Sequence, residues 1–137
     1  MRKLFVLVGE SGSGKSTLAF AMEERFPKDY RRVVTCTSRE KRVGEMDGRD
    51  YHFLPKDYFI NNPDFILVKE TSEGLFYGTR ISELQSTEKH LLLTSKPSGV
   101  ARLVRHGIGN IVVVDIQISD DLKTYRMRLR GDTEEMI

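Results

Sequence analysis

Leu4-Phe5-Val6-Leu7-Val8 is an unbroken apolar run, partly β-branched, that stops at Gly9. A run without polar alternation predicts a strand covered on both faces of a parallel sheet, and therefore a central one. From Lys15 the period changes to that of a helix. Leu18, Ala19, Ala21, Met22 and Phe26 fall on one side, and Pro27 sets the end. Val33 to Thr37 reads as a second strand, while residues 38 to 51 are charged and glycine-bearing, with neither period. Leu91 to Leu93 and Ile111 to Val114 read as two further strands, separated by a helical patch containing Val100, Leu103 and Val104. The last segment starts at Ser119. Asp120 and Asp121 stand in its first turn and Arg126, Arg128 and Arg130 near its end, the charge order that a helix macrodipole favours, and Gly131 is the expected stop. Strands alternating with helices predict an α/β fold with a central, mostly parallel sheet, interrupted by an irregular insertion from about 33 to 83.

Composition narrows this picture. A chain of 137 residues with 39% hydrophobic content suits one compact domain. Its formal net charge of +2 is too small to point to a nucleic acid polymer or an anionic membrane as partner. Any basic site must be local. Cys36 is the single cysteine, so no disulfide can form within the chain, which suits a reducing compartment. The apolar run near the start is too short for a secretory core or a membrane span, and a soluble cytoplasmic protein is expected. His90 and His106 are isolated, without the spacing of zinc ligands, and His52 is expected to be structural or exposed.

The segment joining the first strand to the first helix carries chemistry. Gly9-Glu10-Ser11-Gly12-Ser13-Gly14-Lys15-Ser16 matches G-x-x-x-x-G-K-[ST], and Thr17 follows. Glycines at these positions let successive backbone N–H groups turn onto phosphate oxygens, and the helix that starts there adds its positive end. Lys15 would reach the β- and γ-phosphates of a nucleoside triphosphate, ATP being the expected donor, and the Ser16 hydroxyl would ligate Mg2+. Such a loop does not name the reaction, because motors, switches, transporters and kinases share it.

Beyond the second strand, Arg39 and Arg42 stand three residues apart, where two guanidinium groups could converge on one phosphate, and Tyr51 could add a hydroxyl. The stretch Thr37-Ser38-Arg39, Arg42, Gly44-Glu45, Gly48, Asp50-Tyr51 and Phe53 resembles the guanylate kinase family, whose pattern is close to T-[ST]-R-x-x-R-x-G-E-x-x-G-x-D-Y-x-F. The resemblance continues at Gly74-Leu75-Phe76-Tyr77-Gly78-Thr79 and at Arg126 and Arg130-Gly131, the latter similar to the lid of that family. It implies the P-loop NTPase three-layer fold, with a core of about 1–32 and 84–137, a small β-rich acceptor-binding insertion of about 33–83 and a short lid of about 126–137. It also implies transfer of the γ-phosphoryl group of ATP, with Mg2+, to GMP or a related nucleotide. Arg39, Arg42, Tyr51 and Tyr77 would then hold the acceptor phosphate with Glu45 beside them, Thr35 and Thr79 would sit near the acceptor base, and Arg126 and Arg130 would close over the transferring group with Lys15.

Three departures from the family pattern keep other acceptors, such as another nucleotide or a sugar phosphate, and a noncatalytic binding module open. The family carries a Glu about nine residues before the second tyrosine, where this chain reads Phe65-Ile66-Leu67-Val68. Its L-D-I-D strand end becomes Leu93-Thr94-Ser95-Lys96, which removes two acidic positions. Ile111 to Asp115 does read as an apolar strand followed by Asp, but in family order that strand lies on the other side of the central one. The chain also stops at Ile137, where family members continue into a long helix.

Overall fold

The computed structural model of the chain describes residues 2–10, 12–85 and 88–129, with the side chains of Lys123, Arg126 and Met127 outside that description. The elements run β1 (Leu4–Val8), α1 (Lys15–Arg25), β2 (Tyr30–Arg32), β3 (Cys36–Thr37), β4 (His52–Phe53), β5 (Phe65–Glu70), β6 (Phe76–Arg80), β7 (His90–Thr94), α2 (Pro97–Arg105), β8 (Ile111–Asp115) and α3 (Asp120–Leu129). Two 3-10 turns, Lys56–Phe59 and Ile81–Leu84, flank the β5–β6 pair.

β1 lies inside a parallel sheet of order β2-β7-β1-β8, as its unbroken apolar run requires. Leu4, Val6 and Val8 face one side and pack with Leu91 and Leu93 of β7 and Leu103 of α2. Leu7 faces the other side, against Leu92 and Ala19 of α1. With helices on both faces, the three layers expected from sequence are present. β7 and β8 flank β1 on opposite sides, so connections leave it in both directions, and in open sheets of this kind the crevice at the carboxyl end of such a strand holds ligands. The glycine loop follows β1 there.

Two expectations need correction. The apolar stretch Val33 to Thr37 is not one strand. The Val33 amide still donates to the Leu92 carbonyl at 2.8 Å in the parallel sheet, whereas the Thr35 carbonyl accepts from His52 at 2.8 Å in a second sheet. Both ends are buried, so hydrophobicity stays continuous while the chain changes sheets. The apolar residues of α1 also do not share one buried face. Ala19 and Met22 pack on the sheet, Leu18 and Ala21 line a cleft, and Phe26, at 47% exposed, lies edge-on to Tyr30.

The second sheet has order β4-β3-β6-β5. β5 is irregular, with a register shift between Ile66 and Lys69 and Leu67 at φ 59°. At this bulge Leu67 approaches Gly99 of α2 and Val68 approaches Gly78 of β6, and both border one cleft. Ile66, Ile81 and Leu84 join the core of the parallel sheet, which ties the second sheet to the first. Among the described residues, no helix is long and apolar enough to cross a membrane.

Candidate active site

The loop after β1 folds as its glycines allow. Gly14, at φ 95° and ψ 14°, is the left-handed cap from which α1 starts, and Gly12 sits at φ 82°. A side chain at Gly9 would place its Cβ 2.8 Å from both the Ile116 carbonyl oxygen and Ser13 Oγ, so the loop closes on itself only with glycine there. The loop borders a cleft of about 880 Å3 lined by Gly12, Ser13, Gly14, Lys15, Ser16 and Thr17 on one side and by Ile116 and Ile118 on the other. That size suits a nucleotide. Lys15 Nζ donates to the Gly9 carbonyl at 2.8 Å. Burial, and then repulsion from Lys96, hold the Lys15 ammonium below its usual pKa range, so it gains from an incoming anion. Ser16 and Thr17 are exposed onto the cleft, with the Ser16 hydroxyl available to a cation that also binds phosphate. Ser11 lies outside the described residues.

The residues expected around an acceptor phosphate are largely brought together. Arg39 makes a two-pronged bond to Glu45, Nη1 to Oε1 and Nη2 to Oε2, each 2.9 Å. The Arg42 backbone amide donates to the same carboxylate at 2.7 Å. These bonds, that from Arg39 being the stronger, lower the Glu45 carboxyl to about 2 and raise the Arg39 guanidinium further. Tyr51 lies beneath Arg39, its ring centre 5.3 Å from the guanidinium carbon, and Tyr77 stands edge-on to Tyr51 with ring centres 6.1 Å apart. The Arg42 side chain is exposed at the rim. Arg126 falls within α3, but its side chain lies outside the described residues, as do Arg130 and Gly131. Ser119 Oγ accepts from the Leu122 amide at 3.2 Å and starts that helix as its sequence indicates.

Beside this cluster lies a second cleft of about 390 Å3, to which Thr35, Tyr77 and Thr79 contribute. Leu67 and Val68, in the stretch where the resembled family has its carboxylate, form part of the wall, and neither Glu70 nor Glu73 does. Three cations line it instead: Lys69 on β5, Lys96 ahead of α2 and Arg102 within α2. None of the three forms an ion pair among the described residues. Thr94, at the end of β7, borders both clefts, so the two are contiguous. Asp115 is exposed and accepts from Gln117 at 2.9 Å.

Sequence reading did not bring out a polar cluster behind the site. Glu83 meets Arg80 at 3.2 Å, His52 at 3.1 Å and Arg31 at 3.6 Å, and so links the parallel sheet to the second sheet. His52 is half-buried in this cluster. Arg32, beside this cluster, packs its guanidinium 3.8 Å from the Phe20 ring centre and pairs with Glu23 at 3.5 Å. Cys36 is free and buried, and burial pushes its thiol up to about 11.

Known proteins are similar to this chain over most of its length. A family model described as guanylate kinase matches residues 1–137. The chain is 31% identical over 139 residues to a guanylate kinase of Chlamydia muridarum, covering 97% of this chain and 60% of that protein. It is 34% identical over 142 residues to one of Nitratidesulfovibrio vulgaris, covering 98% and 67%. A crystal structure of guanylate kinase from Anaplasma phagocytophilum superposes with a TM-score of 0.67 at 24% identity, covering 95% of this chain and 68% of that one. The chain spans about three-fifths to two-thirds of the length of these curated relatives.

Proposed function

From the premise that the chain belongs to the guanylate kinase family, we propose that it transfers the γ-phosphoryl group of ATP to GMP or a related nucleoside monophosphate. The observation that carries this reading is the contiguity of the two clefts at Thr94, with the glycine loop in one and Tyr77, beside Arg39, in the other. Phosphoryl transfer asks little covalent chemistry of the protein. Alignment of donor and acceptor, with neutralisation of charge on the transferring oxygens, accounts for most of the catalysis.

In this reading the loop amides and Lys15 hold the β- and γ-phosphates of ATP. The Ser16 hydroxyl holds Mg2+, which supplies positive charge to the phosphate oxygens. Arg39, Arg42, Tyr51 and Tyr77 hold the acceptor phosphate, with Glu45 positioning Arg39, while Thr35 and Thr79 face the base. Arg126 and Arg130 belong to a lid of about 126–137 that adds cationic charge over the transferring group, and the segment of about 33–83 is the acceptor-binding part of one domain. The cytoplasm, where nucleotides are abundant and a free thiol such as Cys36 stays reduced, is the proposed setting.

ADP formation from ATP and Mg2+, measured with GMP, dGMP, AMP, dTMP, CMP and phosphosugars in parallel, tests the proposal. GMP-dependent turnover is expected, and Lys15→Ala should lower kcat by at least about 100-fold, the scale on which a preorganised charge contact contributes. An unchanged rate in that variant would remove the loop from the mechanism.

A further inference from the structure

We infer that the second cleft reads the hydrogen-bond-accepting edge of a 6-oxopurine and leaves its donor edge unread, so that the acceptor class is GMP, IMP and XMP together. This rests on the phosphotransfer reading above and concerns only what the base end of that site selects.

Guanine offers two kinds of edge. O6 and N7 accept hydrogen bonds, while the 2-amino group and N1–H donate them. A donor edge is read by a carboxylate, and among the described residues no carboxylate lines this cleft. Leu67 and Val68, half-buried and apolar, form the β5 part of its wall. Thr94, Ser95 and Lys96 replace the acidic strand end, and Glu70 and Glu73 are exposed elsewhere.

The cleft instead offers donors and positive charge. Lys69, Lys96 and Arg102 reach it from three different places in the chain and carry no ion-pair partner among the described residues. Lys and Arg are the side chains best suited to O6 and N7 of a 6-oxopurine. Adenine presents an amino donor where O6 would be, against cations, and is disfavoured. Hypoxanthine differs from guanine only by lacking the 2-amino group. A site that hydrogen-bonds that group rejects the analogue strongly, but a site without the carboxylate has nothing to lose. Xanthine replaces the amino donor with a second carbonyl and gives up a ring proton more readily than guanine, which suits unpaired cations. Lys15 experiences repulsion from Lys96, so an electron-rich ring at the second cleft also relieves charge crowding at the junction with the first.

The test uses the full chain. Values of kcat/KM from ADP release are measured for GMP, IMP, XMP and AMP, with calorimetric titration of each monophosphate alone. IMP and XMP are expected within about tenfold of GMP, and AMP at least about 30-fold poorer, as expected for one well-made contact to a base edge. A preference of about 100-fold or more for GMP over IMP, or equal use of AMP and GMP, would overturn the inference. Val68→Glu should raise the GMP-to-IMP ratio by at least about tenfold by restoring a reader of the 2-amino group. Should that variant not fold, Lys96→Gln decides: it should lower XMP use more than GMP use, and equal losses count against the inference. If monophosphates bind in the expected order without turnover, the phosphotransfer reading fails and this one stands. Turnover confined to GMP gives the reverse, and neither binding nor turnover sinks both.

Discussion

Arg39 could reach phosphate in many rotamers if nothing held it. Glu45 selects one of them through two 2.9 Å bonds while also accepting from the Arg42 amide, so one carboxylate fixes both the arginine side chain and the turn that follows it. Glu45→Gln keeps the shape but replaces one acceptor oxygen with a donor that opposes the guanidinium. The expected result is a rise in acceptor KM of about 10- to 100-fold, with ATP affinity unchanged, read from steady-state kinetics with each nucleotide varied. Equal loss of both would deny Glu45 its positioning role. The pH dependence follows from the carboxyl lying at about 2, below its ordinary 4.5. A depressed folded-state pKa contributes stability that is complete above the ordinary value and lost as pH falls through the depressed one. The pair should therefore hold through mild acid and fail between about 4.5 and 2, as a titration of the Glu45 carboxyl carbon by NMR would report.

At the scale of elements, Glu83 joins parts that sequence separates widely. It precedes β7 yet meets Arg31 of β2, His52 of β4 and Arg80 of β6. Glu83→Ala leaves those groups without their shared anion. Partial exposure, 36% for the Arg31 side chain, tempers the loss, and destabilisation of about 1–3 kcal/mol is expected in urea unfolding. The same separation explains what sequence pattern reveals and what it hides. β1 and β7 are readable because strands covered on both faces are apolar without interruption, and β8, whose Val113 is 49% exposed, carries the same run at the sheet edge. The glycine loop is readable because the groups proposed to hold phosphate are mostly backbone amides of consecutive residues. Val33 to Thr37 misleads because hydrophobicity records burial and not which neighbour supplies it. β4 and β6 pair with β3 across long intervals, and the bulge at Leu67 breaks the alternation of β5. Lys69, Lys96 and Arg102 form one wall only after β5 has docked against α2, so no local pattern joins them.

For the molecule as a whole, the decisive relation is between the clefts. The parallel sheet puts the glycine loop at the carboxyl end of β1, and the neighbouring end of β7 supplies Thr94 to both cavities. Lys15 in the first is close enough to Lys96 in the second for their charges to interact. Two nucleotides bound at once would lie side by side across that junction. A single molecule with adenosine and a 6-oxopurine nucleoside joined through a phosphate chain should therefore occupy both clefts, its second half binding at high effective concentration. Its affinity, measured by calorimetry, is expected to exceed that of ATP or GMP alone by about 100-fold or more, provided the chain is long enough to span the junction. Lys15→Ala should remove most of that gain while leaving GMP affinity in place, because it weakens only the donor half. An affinity no better than that of the tighter single nucleotide would show that the clefts do not work as one site, however close they stand.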